Sequence, residues 1–147
     1  MRILGIDPAT SKPLGFALVD PRLTVEYSGL CGYMDLWGVL DTCNPDIAVI
    51  EDQFFFKNFA TAKKLAWSAG KIMGICALHR TVNCTMNVSH WKKLMDCLVK
   101  GDKWAHIHRA QEVFGREFQD DVASAALIAA AYLKEYDILD KDISVVI

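Results

Sequence analysis

The sequence lacks the marks of several large protein classes. No apolar run approaches the ~18 residues a membrane span requires. The longest weakly polar stretch, residues 122–133, is alanine-rich and interrupted by Ser124. Neither G-x-G-x-x-G nor G-x-x-x-x-G-K-[ST] occurs, which removes the usual dinucleotide-binding and P-loop readings. There are no internal repeats, no linker and no low-complexity tract. The five cysteines (Cys31, Cys43, Cys76, Cys84, Cys97) are odd in number, scattered and never in a C-x-x-C pair. Neither a disulfide framework nor a zinc site is expected; reduced thiols in an intracellular protein are. Residues 1–10 carry no hydrophobic signal region and meet a charge at Asp7, so no leader peptide and no membrane partner are expected.

What remains is ordinary globular material. At 147 residues, 52% hydrophobic and 23% charged, the chain is one domain's worth with enough apolar surface for a real core. The net charge of −2 argues against a nucleic-acid partner, but its distribution does not. Residues 57–109 hold ten basic and two acidic side chains, a local charge of +8, and the rest of the chain carries −10. A basic binding face beside an acidic site produces that asymmetry; so do the wet faces of ordinary helices.

Hydrophobic patterning orders the chain. Residues 2–7, 14–20 and 23–33 predict three strands in two close hairpins, an antiparallel meander. Residues 35–42 predict a short helix stopped at Asn44-Pro45. Residues 46–51 predict a buried strand. A long helix opens at Asn58 or Thr61 and runs to about Arg80, with Leu65, Ala69, Ile72, Ile75 and Leu78 on its inner face. Residues 81–88 predict a fifth strand. Ser89 would cap a helix over 90–98, Gly101 and Asp102 would open another reaching Phe114, and residues 121–136 predict a last helix. Residues 137–147 predict a loose tail. The order is that of a single α/β domain, with a central five-stranded mixed sheet flanked by helices.

Carboxylates fall at the strand ends. Asp7 closes the first apolar strand, Glu51 closes the fourth, and Asp120 and Asp121 open the alanine-rich helix. A carboxylate at the end of a buried strand costs desolvation unless it is paired or binds a cation. Converging on one point, these oxygens would select Mg2+ or Mn2+. Each also has a plain structural use. Asp120 suits an N-cap, Asp121 complements the helix dipole, and Asp7 before Pro8 suits a turn.

Read in order, ILGIDPAT, GFALVD, IAVIEDQFFFKNFATAKKLAWSAGKIMG, WKK followed by GDK, and QDDVASAALIAAAYL resemble the RuvC-type Holliday junction resolvases of the RNase H-like superfamily. The match runs through nearly the whole chain, and its middle block is the most specific part. The resemblance implies an RNase H-like fold with Asp7, Glu51 and Asp121 as metal-binding carboxylates. The family's fourth carboxylate falls three residues after the third, where this chain has Ser124. Asp120 is one residue off and points about 100° away around the helix. Ala9 stands where the family usually has glycine. Phe54 matches an aromatic that reaches the junction's bases, and Phe55 and Phe56 read as core or dimer contacts. Lys92 and Lys103 match lysines near the scissile phosphate, where positive charge stabilises the transition state. Lys57, Asn58, Lys63, Lys64 and Lys93 read as DNA-backbone contacts. His106 and His108 read as surface residues.

The expectation is a structure-selective endonuclease that uses Mg2+ or Mn2+ to cut four-way DNA junctions. Two symmetric nicks need two sites related by a two-fold axis, hence a homodimer. The long helix after Glu51 is its candidate face, and the bacterial or phage-infected cytoplasm its expected setting. Two alternatives stand beside it. One is an RNA nuclease of the YqgF type on the same fold. The other is a junction-binding protein impaired by Ser124.

Overall fold

A computed structural model describes residues 1–9, 12–52, 59–144 and 147. Three predicted site residues, Phe54, Lys57 and Asn58, lie outside the described residues, as do Phe55 and Phe56. The strands are β1 (Ile3–Asp7), β2 (Leu14–Val19), β3 (Val25–Cys31), β4 (Ile47–Asp52) and β5 (Asn83–Asn87). They form one mixed sheet in the order β3-β2-β1-β4-β5. β1 pairs antiparallel with β2, and β2 with β3, which is the expected meander. β4 lies parallel to both β1 and β5.

Side chains alternate between the two faces of a strand, and here the alternation sorts two cores. Leu4, Ile6, Phe16, Leu18, Ala48 and Ile50 point one way. They meet α1 (Leu36–Cys43) and α2 (Phe59–Leu78) through Leu36, Leu40, Ala69, Ile72 and Cys76. Ile3, Ala17, Val19 and Val49 point the other way, toward α3 (Val88–Leu94), α4 (Ala105–Phe114) and α5 (Asp120–Glu135). α5 is apolar around nearly its whole circumference, as a helix buried on all sides must be. α1 stops where expected: Asn44 adopts the left-handed conformation (φ 42°) and donates its N–H to the Leu40 carbonyl.

Several expectations are corrected. Asn87, not Ser89, caps α3, because its side chain accepts the Ser89 N–H; that helix ends at Leu94, short of residue 98. α4 starts at Ala105, later than Gly101. On α2 the buried positions are Ser68, Ala69, Ile72 and Cys76, while Leu78 is exposed. Ala69 and Ile72 are buried as expected, Leu65 and Ile75 are half-buried, and only Leu78 leaves the expected face. Residues 137–147 are not uniformly loose. Leu139 is buried, α6 (Lys141–Ser144) follows, and Arg22 pairs with Asp140 and Asp142. The five cysteines are free, and burial pushes the Cys31, Cys43, Cys76 and Cys97 thiols up to about 11. Among the described residues, no helix is long and apolar enough to cross a membrane.

Candidate active site

The period-two alternation that sorts the cores also places the carboxylates. Asp7 follows Ile3 and Gly5 on the α5 face of β1, and Glu51 follows Val49 on the same face of β4. The parallel register pairs Ile6 with Ile50, so Asp7 and Glu51 are the next step along neighbouring strands. Two glycines bring the third carboxylate down. A Cβ on Gly5 would lie 1.9 Å from the Ala125 carbonyl oxygen, and one on Gly15 would lie 2.3 Å from the Asp121 carbonyl oxygen. The backbone of α5 therefore sits directly on the sheet at Gly5 and Gly15. Gly15 is also the β2 partner of Asp7. The first turn of α5, with Asp121, consequently arrives over Asp7.

The chemistry of the cluster follows from burial and from like charge. Glu51 is 4% exposed and Asp121 8%. Burial raises the Asp7 carboxyl well above its ordinary 3.8; the charges of Glu51 and Asp121 and a hydrogen bond to Glu51 push the same way, and the Lys12 charge opposes them. Each of these influences except Lys12 favours the protonated form of Asp7. Glu51 also accepts the indole N–H of buried Trp91 at 2.9 Å. Asp121 is held by the Lys12 ammonium, 2.9 Å from each carboxylate oxygen.

α5 is capped by Gln119, whose side-chain oxygen accepts the Asp121 and Val122 N–H groups, and not by Asp120. Asp120 turns to His106, whose Nε2 lies 2.5 Å from its Oδ1. His106 is 7% exposed, so the expectation of a surface histidine is corrected: it ties α4 to the start of α5. Ser124 is buried one turn after Asp121.

Only oxygen donors meet here, which suits a hard divalent cation. Their arrangement is not yet a ligand cage. Among the described residues, no group of three or more His, Cys, Asp or Glu side chains is set to hold a metal ion as it stands. The carboxylates have other partners instead: Lys12 engages Asp121, and Trp91 engages Glu51. Asp7, Glu51 and Asp121 are the residues that would hold an ion, with Asp120 committed elsewhere.

The described lysines predicted to contact DNA sit on α3, in the turn before α4 and on α2. Lys92 follows Trp91 on α3, with its ammonium 5.5 Å from that ring. Lys93 is exposed beside it. Lys103 lies in the turn before α4, its ammonium 4.8 Å from the half-exposed Trp104 ring. The His106–Asp120 link brings that turn to the same end as Asp121. Lys63 and Lys64 lie on α2, and the Lys63 ammonium sits over the Trp67 ring at 4.8 Å. Sequence reasoning did not single out Lys12, Trp91, Gly5 or Gly15. The glycines had a signal, since an isolated glycine in a strand marks close backbone approach. Lys12 and Trp91 had none in their local sequence.

No family model matches the sequence, and no curated protein matches it significantly. Solved structures do resemble the chain. Thermus thermophilus RuvC in complex with a Holliday junction substrate superimposes with a TM-score of 0.74 at 19% identity, over 92% of this chain and 96% of that one. Another T. thermophilus RuvC structure gives 0.73 at 17% identity, covering 92% and 97%. The yeast mitochondrial Holliday junction resolvase Ydc2 gives 0.62 at 12% identity, covering 89% and 78%. The five-stranded mixed sheet with flanking helices matches the RNase H-like fold of these structures.

Proposed function

We propose that this chain is a divalent-metal-dependent endonuclease that resolves four-way DNA junctions as a homodimer. One observation carries the reading. On the fold shared with junction resolvases, buried Asp7 on β1 bonds Glu51 from β4 and feels the charge of Asp121 from α5, so that like charges are buried within reach of one another. A folded protein does not keep such an arrangement for stability, since each buried carboxylate opposes the others. Perturbed carboxylates of this kind mark functional sites.

The chemistry is in-line hydrolysis of a phosphodiester. A divalent ion there would polarise the phosphate and make a bound water nucleophilic. The chain's own residues do the rest. Asp7, Glu51 and Asp121 supply the hard oxygen donors, and Trp91 fixes the orientation of Glu51. Lys92 and Lys103 offer positive charge to the phosphate as its oxygens gain negative charge. Water adds to phosphorus as the bond to the 3′ oxygen breaks, leaving a 5′-phosphate and a 3′-hydroxyl. Lys57, Asn58, Lys63, Lys64 and Lys93 hold the DNA backbone, and Phe54 stacks on a base at the branch.

The outer face of α2 supports the dimer. Phe59, Trp67 and Leu78 are largely exposed there. Gly70 and Gly74 sit four residues apart on one helix face, and a Cβ added at either would meet nothing within 4 Å. Glycine inside an exposed helix costs about 1 kcal/mol against alanine, and a second backbone packing closely offsets that cost.

The test is nicking of a labelled immobile four-way junction beside a linear duplex of the same arms, in Mg2+, Mn2+ or EDTA. Paired, metal-dependent nicks on the junction alone are expected. A second reading, junction binding without cutting, is favoured by Ser124 at the fourth carboxylate position. Tight binding with no nicks in any metal would select it. Cleavage of structured RNA in preference to the junction would select an RNA nuclease.

A further inference from the structure

Three carboxylates share this site, and the fourth position of the α5 face is a neutral serine. The structure brings a cation into the same cluster from an unexpected place. Lys12, just after the β1 turn, reaches both oxygens of Asp121 at 2.9 Å. Its charge is felt at Asp7, and the charges of Asp121, Asp120 and Asp7 all act on it in return. The contact closes across 109 positions of sequence, so it is a product of the fold and not of local chain geometry.

We propose that the Lys12 ammonium is a built-in counter-cation that takes the place of a second metal ion, so that the site binds one divalent ion per chain. The charges agree. Asp7, Glu51 and Asp121 together carry three negative charges when ionised, which one divalent ion and one ammonium neutralise. Two divalent ions would leave the cluster positive, and Ser124 offers neither a charge nor a strong oxygen donor to hold the second. Asp120 is counted outside these three carboxylates, because its side chain is engaged by His106 on α4. An ammonium is a compact point charge with three donors, and on a flexible stem it can serve a carboxylate and a phosphate oxygen together. Lys12 is mostly exposed along its side chain (58%), so its ammonium is open to solvent as well as to Asp121.

The inference rests on reading the three carboxylates as a metal site, and its test is independent of junction cleavage. Mn2+ binding to the full chain is measured by the electron paramagnetic resonance of free Mn2+ and by calorimetry. The proteins are the wild type, Lys12→Met, Lys12→Arg, Ser124→Asp and the Lys12→Met/Ser124→Asp double variant. Thermal melts check that each is folded, which the exposure of Lys12 favours.

The wild type is expected to bind one ion per chain. Lys12→Met is expected to bind it about tenfold tighter, because a competing charge at hydrogen-bond distance is gone. Lys12→Arg should keep the wild-type affinity, and the double variant should bind two ions. Two ions on the wild type, unchanged or weaker binding by Lys12→Met, or a single ion on the double variant would each overturn the proposal. No Mn2+ on any variant would overturn the metal reading itself, and this inference with it.

Discussion

The two helical faces of the sheet use glycine in opposite ways. Under α5, Gly5 and Gly15 have no room for a methyl group, because the helix backbone lies against them. On α2, Gly70 and Gly74 have open space where a methyl group would go. The first pair is required by packing inside one chain and sets the height of Asp121 above Asp7. The second pair meets no such demand among the described residues. The same residue type therefore marks a close contact on one face and open space on the other.

The sharpest way to break the comparison is Gly5→Ala. The new Cβ meets backbone atoms, which cannot swing away as a side-chain end can. A loss of about 3 kcal/mol or more is expected, which in a chain of this size lowers Tm by roughly 6–12 °C. A melt within a degree of wild type would show that α5 can lift off the sheet freely.

Asp7→Asn tests the cost of assembling the closed face. The Asp7 carboxyl is raised above its unfolded value, so the native state holds this proton more tightly than the unfolded chain does. Its stabilising contribution is complete below the ordinary carboxylate range and is lost as pH rises through the raised native value. In EDTA, Asp7→Asn should therefore melt above the wild type at about pH 7, by about 2–4 °C for each 1 kcal/mol of strain relieved. The gap should close toward about pH 4, and metal-dependent nicking should be lost at any pH. A variant that melts below the wild type at neutral pH would contradict this electrostatic account.

The smallest effect belongs to the open face, with the reverse sign. Gly70→Ala and Gly74→Ala should each stabilise the isolated chain by about 0.5–1 kcal/mol, through helix propensity alone. Sedimentation should show the same variants associating more weakly. Unchanged association would move the two-fold contact away from α2.

How much of this was legible in the sequence varies with the range of the interaction. The strands were readable because β1, β2 and β4 are short apolar runs ended by Asp7, Pro21 and the Glu51–Asp52 pair. Asp7 and Glu51 were readable as strand-end carboxylates for the same reason. The inner face of α2 was misjudged at Leu78, since Ser68 and Cys76 carry no strong apolar signal although they are buried. Ser68 is explained by the fold: its hydroxyl and that of Tyr33 both reach the Ala9 carbonyl, the Ser68 contact at 2.5 Å. His106 was misplaced because its partner, Asp120, lies on another helix. Trp91 and Lys12 find their carboxylates 40 and 109 positions away, and no local pattern encodes such meetings.

The alternation along β1 has a consequence for how this chain tolerates change in length. Asp7 reaches α5 only because it stands an even number of positions from Ile3 and Gly5. Deleting one residue within 3–6 would turn the carboxylate toward α1 and α2 and drive Ile6 against the α5 backbone. One residue more or less in the exposed turn at 98–104 shifts no such parity. Descendants of this sequence are thus free to vary the length of that exposed turn, while the first strand can be lengthened or shortened only in steps of two.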